Sequence, residues 1–261
     1  MMPRPLLPLL LCLLWLPAPA TAAVIHAVTT EFPPFQSEQP APWGLAPWGL
    51  ALEAAQALAA RNGDTLNVQF LPWPRAYQMA ETTPGLLIFC LGRTPQREAR
   101  YGWIGRIANG DARLWRLASR PEVNPATLQQ AQRWQLGVTA RDMKADYLLQ
   151  QGFAYERNLQ QSSDDLSNIR KLYAGRIDLL PFSNSLVLAW RARELGLDPQ
   201  QLQPVLPLPA LSTPLYLAFS PGTAPQLSRR YARLFRLLQR EGVFERLRQR
   251  LQLPRETLPG D

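Results

Sequence analysis

Histidine and cysteine are nearly missing from this chain of 261 residues, which has one histidine, His26, and two cysteines, Cys12 and Cys90. That scarcity excludes much chemistry. No His/Cys cluster has the spacing of a zinc site, and no glycine-rich loop ends in the lysine that would cradle a phosphate. Ser183, Ser185 and Ser220 have no histidine in a relation that suggests a nucleophile and its base. No metal and no cofactor are expected. His26 itself lies in a β-rich run and reads as a buried strand residue.

Apolar runs long enough for a membrane are also lacking. The run at residues 6–16 is well short of the roughly 20 residues that span a bilayer. Arg4 precedes it and Ala20-Thr21-Ala22 follows it, the pattern of a secretory signal peptide over residues 1–22. A retained anchor fits less well. So does a lipoprotein, because Cys12 sits within the apolar run behind three leucines. Cys12 leaves with the leader, so Cys90 remains alone and no internal disulfide is possible. Cys90 closes the run Leu86-Leu87-Ile88-Phe89 and reads as a small core side chain.

Acidic residues are the minority, 20 against 28 basic. Without Arg4 the balance is 27 to 20. Such an excess suits nucleic acid, anionic membrane or acidic solutes. The basic residues are spread along the chain except near its C-terminus, and an exported chain seldom meets nucleic acid. An acidic or anionic small molecule is the better fit, and no nucleic-acid partner is expected.

What is present is α/β patterning, twice. Residues 23–29 read as a first strand, followed by the proline-stiffened loop Glu31-Phe32-Pro33-Pro34-Phe35. Residues 50–61 have helical spacing and stop at Asn62-Gly63. Residues 66–71 alternate as a second strand, Pro72 and Pro74 bracket Trp73, and residues 75–80 start a helix. Residues 85–92 form a buried third strand, and a basic turn carries Arg97. Strand and helix in alternation predict a mostly parallel sheet with helices on both faces, its ligands gathered at the carboxyl ends of the strands. After Asn109-Gly110-Asp111, residues 112–118 read as an extended crossover. A second α/β unit follows, with a strand at 134–139, helices at 142–151, 168–174 and 184–195, and a buried strand near 179–181. Residues 208–213 cross back, and a strand at 215–219 leads to basic amphipathic helices at 226–239 and 243–251. The expected division is 1–22 signal peptide, 23–111 first lobe, 112–212 second lobe and 213–261 the return to the first. Two crossovers would form a hinge, and the cleft between hinged lobes is a common solute trap.

In order and spacing, several segments match one family. They are Phe32-Pro33-Pro34-Phe35, Leu71-Pro72-Trp73-Pro74-Arg75, Arg93-Thr94-Pro95-Gln96-Arg97-Glu98, Ala174-Gly175-Arg176-Ile177-Asp178 and Tyr216-Leu217-Ala218-Phe219-Ser220. On these the chain resembles the periplasmic solute-binding proteins of the polar amino-acid uptake group, extracellular solute-binding protein family 3 with the type II periplasmic-binding fold. The resemblance implies two α/β lobes closing over one small-molecule solute in the periplasm. It also implies a monomer, and an inner-membrane permease of the ABC type as partner. Arg97 matches the arginine that holds a ligand carboxylate, a task suited to its planar fork. Thr94 shares that turn. Phe32, Phe35, Trp73 and Phe182 would supply aromatic wall, and Trp43 and Trp48 would close the mouth. Three positions depart from the family. Gly92 stands where a Ser or Thr is usual, and Arg141-Asp142 replaces a Gly-Thr or Gly-Ser turn. Ser183 falls where an acidic residue would meet the ligand's ammonium. Asp142 could take that task or cap a helix. An ordinary α-amino acid is thereby put in doubt, and a carboxylated or otherwise polar solute is expected.

The family's fold also serves periplasmic dehydratases of cyclic carboxylic acids, for which Glu31 and Glu98 would be the acid or base here. It further serves sensory binding modules and regulator effector domains. A diffusible binder is the leading expectation.

Overall fold

A computed structural model of the protein describes residues 22–258 apart from 42, 43, 45 and 46. The expected leader, except Ala22, and Trp43 lie outside the described residues.

The first unit runs β1 (Val24–Thr29), α1 (Leu50–Asn62), β2 (Thr65–Phe70), α2 (Trp73–Thr82), β3 (Leu87–Gly92), a single turn α3 (Pro95–Glu98) and β4 (Gly102–Ala108). The second runs β5 (Arg113–Leu117), α4 (Leu128–Ala131), β6 (Leu136–Thr139), α5 (Met143–Gln150), β7 (Leu159–Ser162), α6 (Asp165–Tyr173), β8 (Leu180–Phe182), α7 (Ser185–Glu194) and β9 (Leu202–Pro207). The chain then returns as β10 (Leu215–Phe219), α8 (Pro225–Arg240) and α9 (Val243–Arg250).

The first sheet has the order β2-β1-β3-β10-β4. Its buried central strands send alternate side chains to two cores. Leu87 and Phe89 join Leu50, Leu58, Tyr231 and Phe235 of α1 and α8 on one face. Val28 and Ile88 join Ala76 and Ala80 of α2 on the other. Each fully buried Leu or Phe contributes about 1.5–3 kcal/mol, so the middle of this sheet is the firmest part of the molecule. Helix α1 starts at Gly49, with φ of 126°. A Cβ there would lie 2.4 Å from the Phe35 carbonyl oxygen, so only glycine lets α1 begin against the proline loop that bears Phe32. At its other end Gly63, with φ of 80°, bonds back to Ala59 and Ala60 and stops the helix.

The second sheet is built in two pieces, an antiparallel β8-β5-β9 and a parallel β6-β7. They are tied by the Leu136–Leu179 bridge and the bond from Gly137 N to Leu179 O, 3.2 Å. Two neighbouring crossovers join the units. Asn184 Nδ2 donates to Asn109 O at 3.0 Å, and Ser185 N to Asp111 Oδ1 at 2.9 Å. A Cβ on Gly110 would lie 2.3 Å from Thr213 O, so the outgoing and returning strands run in contact.

The α/β fold with two lobes is the expected one, but in detail both sheets are mixed. β10 runs antiparallel to β3 and β4 because the chain enters it from the other unit rather than through a helical crossover. Residues 112–118, expected as a mere crossover, contain β5, the centre of its sheet. Strands β4, β7 and β9 were not anticipated. β9 contains Pro204 and Pro207, tolerated because it is an edge strand. His26 is exposed rather than buried, since the alternation of β1 places Ile25 and Ala27 inward.

Candidate functional site

The loops at the carboxyl ends of β1 and β3 face the helix starts of the second unit across a cavity of about 700 Å³, its open mouth included. Contacts cross it. Trp73 Nε1 donates to Arg141 O at 3.2 Å, and Thr213 Oγ1 approaches Met143 Sδ at 3.9 Å. Gly92 lies so close to Met143 that a Cβ there would be 2.6 Å from its sulfur. The two lobes touch.

On the first lobe's wall the central group is Arg97, 6% exposed. It sits in α3, which opens with Pro95 behind Thr94, a proline fitted to a helix's first position. The Arg97 guanidinium carbon lies 4.7 Å from the Tyr77 ring centroid. Nε donates to Tyr77 Oη at 3.3 Å and Nη1 to Gly92 O at 3.1 Å. Nη2 has no hydrogen-bond partner among the described residues, so a fixed arginine keeps one donor for a guest. Two further atoms of this wall are unspent. Glu31 accepts from Glu38 N through Oε1 at 2.6 Å, while its Oε2 is buried without a partner. Gln36 accepts from the Cys90 thiol at 3.1 Å, while its Nε2 is buried without a partner. Buried polar atoms are normally paired, and unpaired ones facing a cavity are places for a ligand's own groups. Burial pushes the Cys90 thiol well above the usual thiol range, so it stays protonated.

The second lobe's wall is bonded largely to itself, with Arg191 Nε buried there without a partner. Asp142 caps α5, accepting from Lys144 N at 2.8 Å, and its other oxygen accepts from Lys144 Nζ at 2.6 Å. The Lys144 side chain is 5% exposed. Burial works against its charge, but Asp142 and Asp165 outweigh that and hold its pKa above the ordinary lysine range. Asp165 accepts from Thr139 Oγ1 at 2.7 Å, and Thr139 in turn accepts from Asn168 Nδ2 at 3.3 Å. Asp164 caps α6, accepting from Ser167 N at 2.7 Å and Ser163 Oγ at 2.9 Å. Burial would raise the Asp164 pKa, yet these bonds hold it below the usual carboxylate range.

Of the residues singled out from the sequence, the structure brings Arg97, Phe32, Trp73, Asp142 and Ser183 to the cavity. Three lie off its wall. Thr94 lines an outer groove beside Tyr77. Phe35 is fully buried, stacked behind Phe32 at 5.9 Å between centroids. Phe182 is also buried, beneath Lys144, whose Nζ is 5.8 Å from its ring. Trp48 is buried against Trp190, 5.3 Å between centroids, and does not close the mouth. Of the two candidate acids Glu31 lines the cavity, whereas Glu98 is exposed and paired with Arg93 at 2.5 Å. Cys90 packs against the core as expected and also reaches the cavity, where β3 takes a positive φ of 58° at an irregularity in its pairing with β10. Lys144, Asp164, Asp165 and Gln36 were missed. Lys144 left one trace in the sequence: among 28 basic residues only it and Lys171 are lysine.

No family model matches the sequence, and no curated protein matches it. Many solved structures match the fold. A histidine kinase sensor domain with similarity to periplasmic binding proteins superposes with a TM-score of 0.75 at 17% identity, over 92% of this chain and 98% of that one. A structure from the study of glutathione import through the cystine importer of Streptococcus mutans gives 0.74 at 16% identity, over 92% and 98%. An ancestral arginine-binding protein bound to arginine gives 0.72 at 12% identity, over 88% and 98%. The fold is that of the periplasmic binding proteins.

Proposed function

We propose that this chain is an exported solute-binding protein that captures a small carboxylated or otherwise polar solute between its lobes and delivers it to an ABC-type permease. The observation that carries this reading is Arg97, which lines the cavity, is fixed by Tyr77 and Gly92, and has no partner for Nη2 among the described residues. A carboxylate there gains charge-assisted bonds, worth about 1.5–3 kcal/mol net in a desolvated site. The aromatic rings of Phe32 and Trp73 bound the same space. The solute docks first on the first lobe, whose unpaired atoms await it. The second lobe then folds over it as a unit divided from the first at 111/112 and 212/213, moving on the paired crossovers. Ligand contacts that favour the closed state drive that closure. The cleft is read as a binding site, and the periplasm as its place, in keeping with the expected leader. No helix of the described residues is long and apolar enough to cross a membrane. The likeness to a kinase sensor domain, the highest TM-score of the three, favours a second reading, a sensory module that uses the same cleft to report the solute.

Thermal unfolding of the mature protein against amino acids, polyamines, dicarboxylates and aromatic acids tests this. A solute at 100 times its dissociation constant adds about 2.7 kcal/mol of apparent stability. We expect a selective rise in midpoint, and an affinity drawn from it that is roughly 10- to 150-fold weaker in Arg97→Ala, the equivalent of one charged hydrogen-bonded contact. A protein that is folded, free of co-purified ligand and silent to the whole panel is not a solute binder.

A further inference from the structure

We propose that Lys144 fills the second lobe's cation site from within, so that the solute selected by this cleft is a carboxylate without an α-ammonium group. The inference rests on the solute-capture reading and deepens it. The α5–α6 side of the cavity has the parts of a cation receptor: the carboxylates of Asp142 and Asp165, with the Phe182 ring behind them. A free ammonium would be held there by charge and by the face of the ring. The position is taken. Lys144 Nζ stands 2.6 Å from Asp142 Oδ2 and 5.8 Å from the Phe182 centroid.

Most of the other acceptors of that wall are engaged, and Asp165 is bonded through one oxygen to Thr139. Asp142 is bonded through both oxygens to Lys144, and Asp164 through both to Ser163 and Ser167. Ser183 is neutral. A solute ammonium entering this side would meet the positive charge of Lys144, which is already set against Asp142 and Asp165, and a second desolvated cation beside it is strongly disfavoured. Arg97 on the opposite wall repels it as well. The unpartnered Glu31 Oε2 is fitted by a hydroxyl or amide hydrogen of the solute, which needs no charge. The chemical class is thus a small carboxylic acid whose other polar groups are neutral. A lysine serves as the internal cation where an arginine would not, because its compact ammonium fits between Asp142 and the Phe182 ring without a planar fork.

Matched pairs test this: glutamate with glutarate, phenylalanine with 3-phenylpropanoate, and leucine with 4-methylpentanoate, each titrated at millimolar concentration with the thermal midpoint as readout. In the wild-type protein the member without the amine should stabilise, its amino partner binding roughly tenfold or more weakly. In Lys144→Met the carboxylate pair is vacated and the preference should move toward the amino member. Adding Asp165→Asn should remove that gain. Should Lys144→Met fail to fold, the wild-type pairs decide alone. Amino members that stabilise the wild type as well as their partners overturn the inference while leaving solute capture standing. So would amino-acid binding that is lost in Glu31→Gln, since it would put the ammonium on Glu31. Silence from both members of every pair and from the wider panel overturns both readings.

Discussion

The two walls of the cleft are built on opposite plans. The first lobe presents atoms that have no partner, Glu31 Oε2 and Gln36 Nε2, beside an arginine with a donor to spare. The second lobe presents mostly bonded groups, Asp142 with Lys144 and Asp165 with Thr139 and Asn168, the two sets linked by charge rather than by contact, with Arg191 Nε the buried exception at the cavity. An unpaired buried polar group costs free energy that a ligand can return. A paired network costs little to keep and is rigid. On the proposed reading the first wall recognises the solute, and the second holds its form as the lobes close. The sheets beneath repeat the contrast. Five continuous strands support the first wall, and two pieces joined by one bridge support the second.

The sharpest way to break this contrast is to remove the second wall's cation. Replacing Lys144 by Ala strands Asp142 and Asp165 in a site where they had a cation. Removing one partner of a buried pair costs about 3–5 kcal/mol, and urea unfolding should show a loss in that range. Replacement of Arg97, which lines the cavity, should cost binding instead and leave most of the fold's stability intact.

The same pair gives a pH signature of its own. Lys144 has its folded pKa raised, so its contribution is fully present below the ordinary value of 10.5 and is lost as pH rises through the folded value. The stability gap between wild type and Lys144→Ala should be flat from pH 6 to 9 and close at more alkaline pH. Denaturant midpoints of both proteins across that range measure it. A gap that closes on the acid side instead would mean that Lys144 is not the cation of that wall.

Much of this was legible in the sequence, and the limits have physical reasons. Long elements with buried stripes, such as α1, α8 and β3, announce themselves because period and composition agree. β7 is four residues of mixed polarity, LQQS, and β9 carries two prolines, so neither looks like a strand without its neighbours. Arg97 and Trp73 could be named because they sit in ordered, proline-bracketed turns. Phe35 and Phe182 could not be sorted from them, since which face of a loop turns inward is set by packing. Asp142 reads as a helix cap or a ligand group, and the structure gives it a third role as partner of Lys144. That pairing is local, two residues apart, but the charge interaction of Lys144 with Asp165 joins residues from two helix starts. Nothing local in the sequence brings those together.

The smallest effect should come from the contact that spans the two walls. Trp73 stacks on Tyr77, 5.7 Å between centroids, and its Nε1 reaches Arg141 O across the cleft at 3.2 Å. Trp73→Phe keeps an aromatic ring against Tyr77 and deletes only the donor. One such bond is worth about 0.5–1.5 kcal/mol, and at an exposed position water can satisfy the Arg141 carbonyl, which favours the lower figure. Solute affinity should fall roughly two- to tenfold, with the unfolding midpoint of the unliganded protein nearly unchanged. X-ray scattering without solute should show a slightly more open particle than wild type, and the two should coincide when solute is saturating. If the scattering profiles already coincide without solute, this bond does not hold the lobes together. The tie between the walls would then rest on Met143 against Gly92 and Thr213, and Met143→Ala, not Trp73→Phe, would be the change that lets the lid drift open.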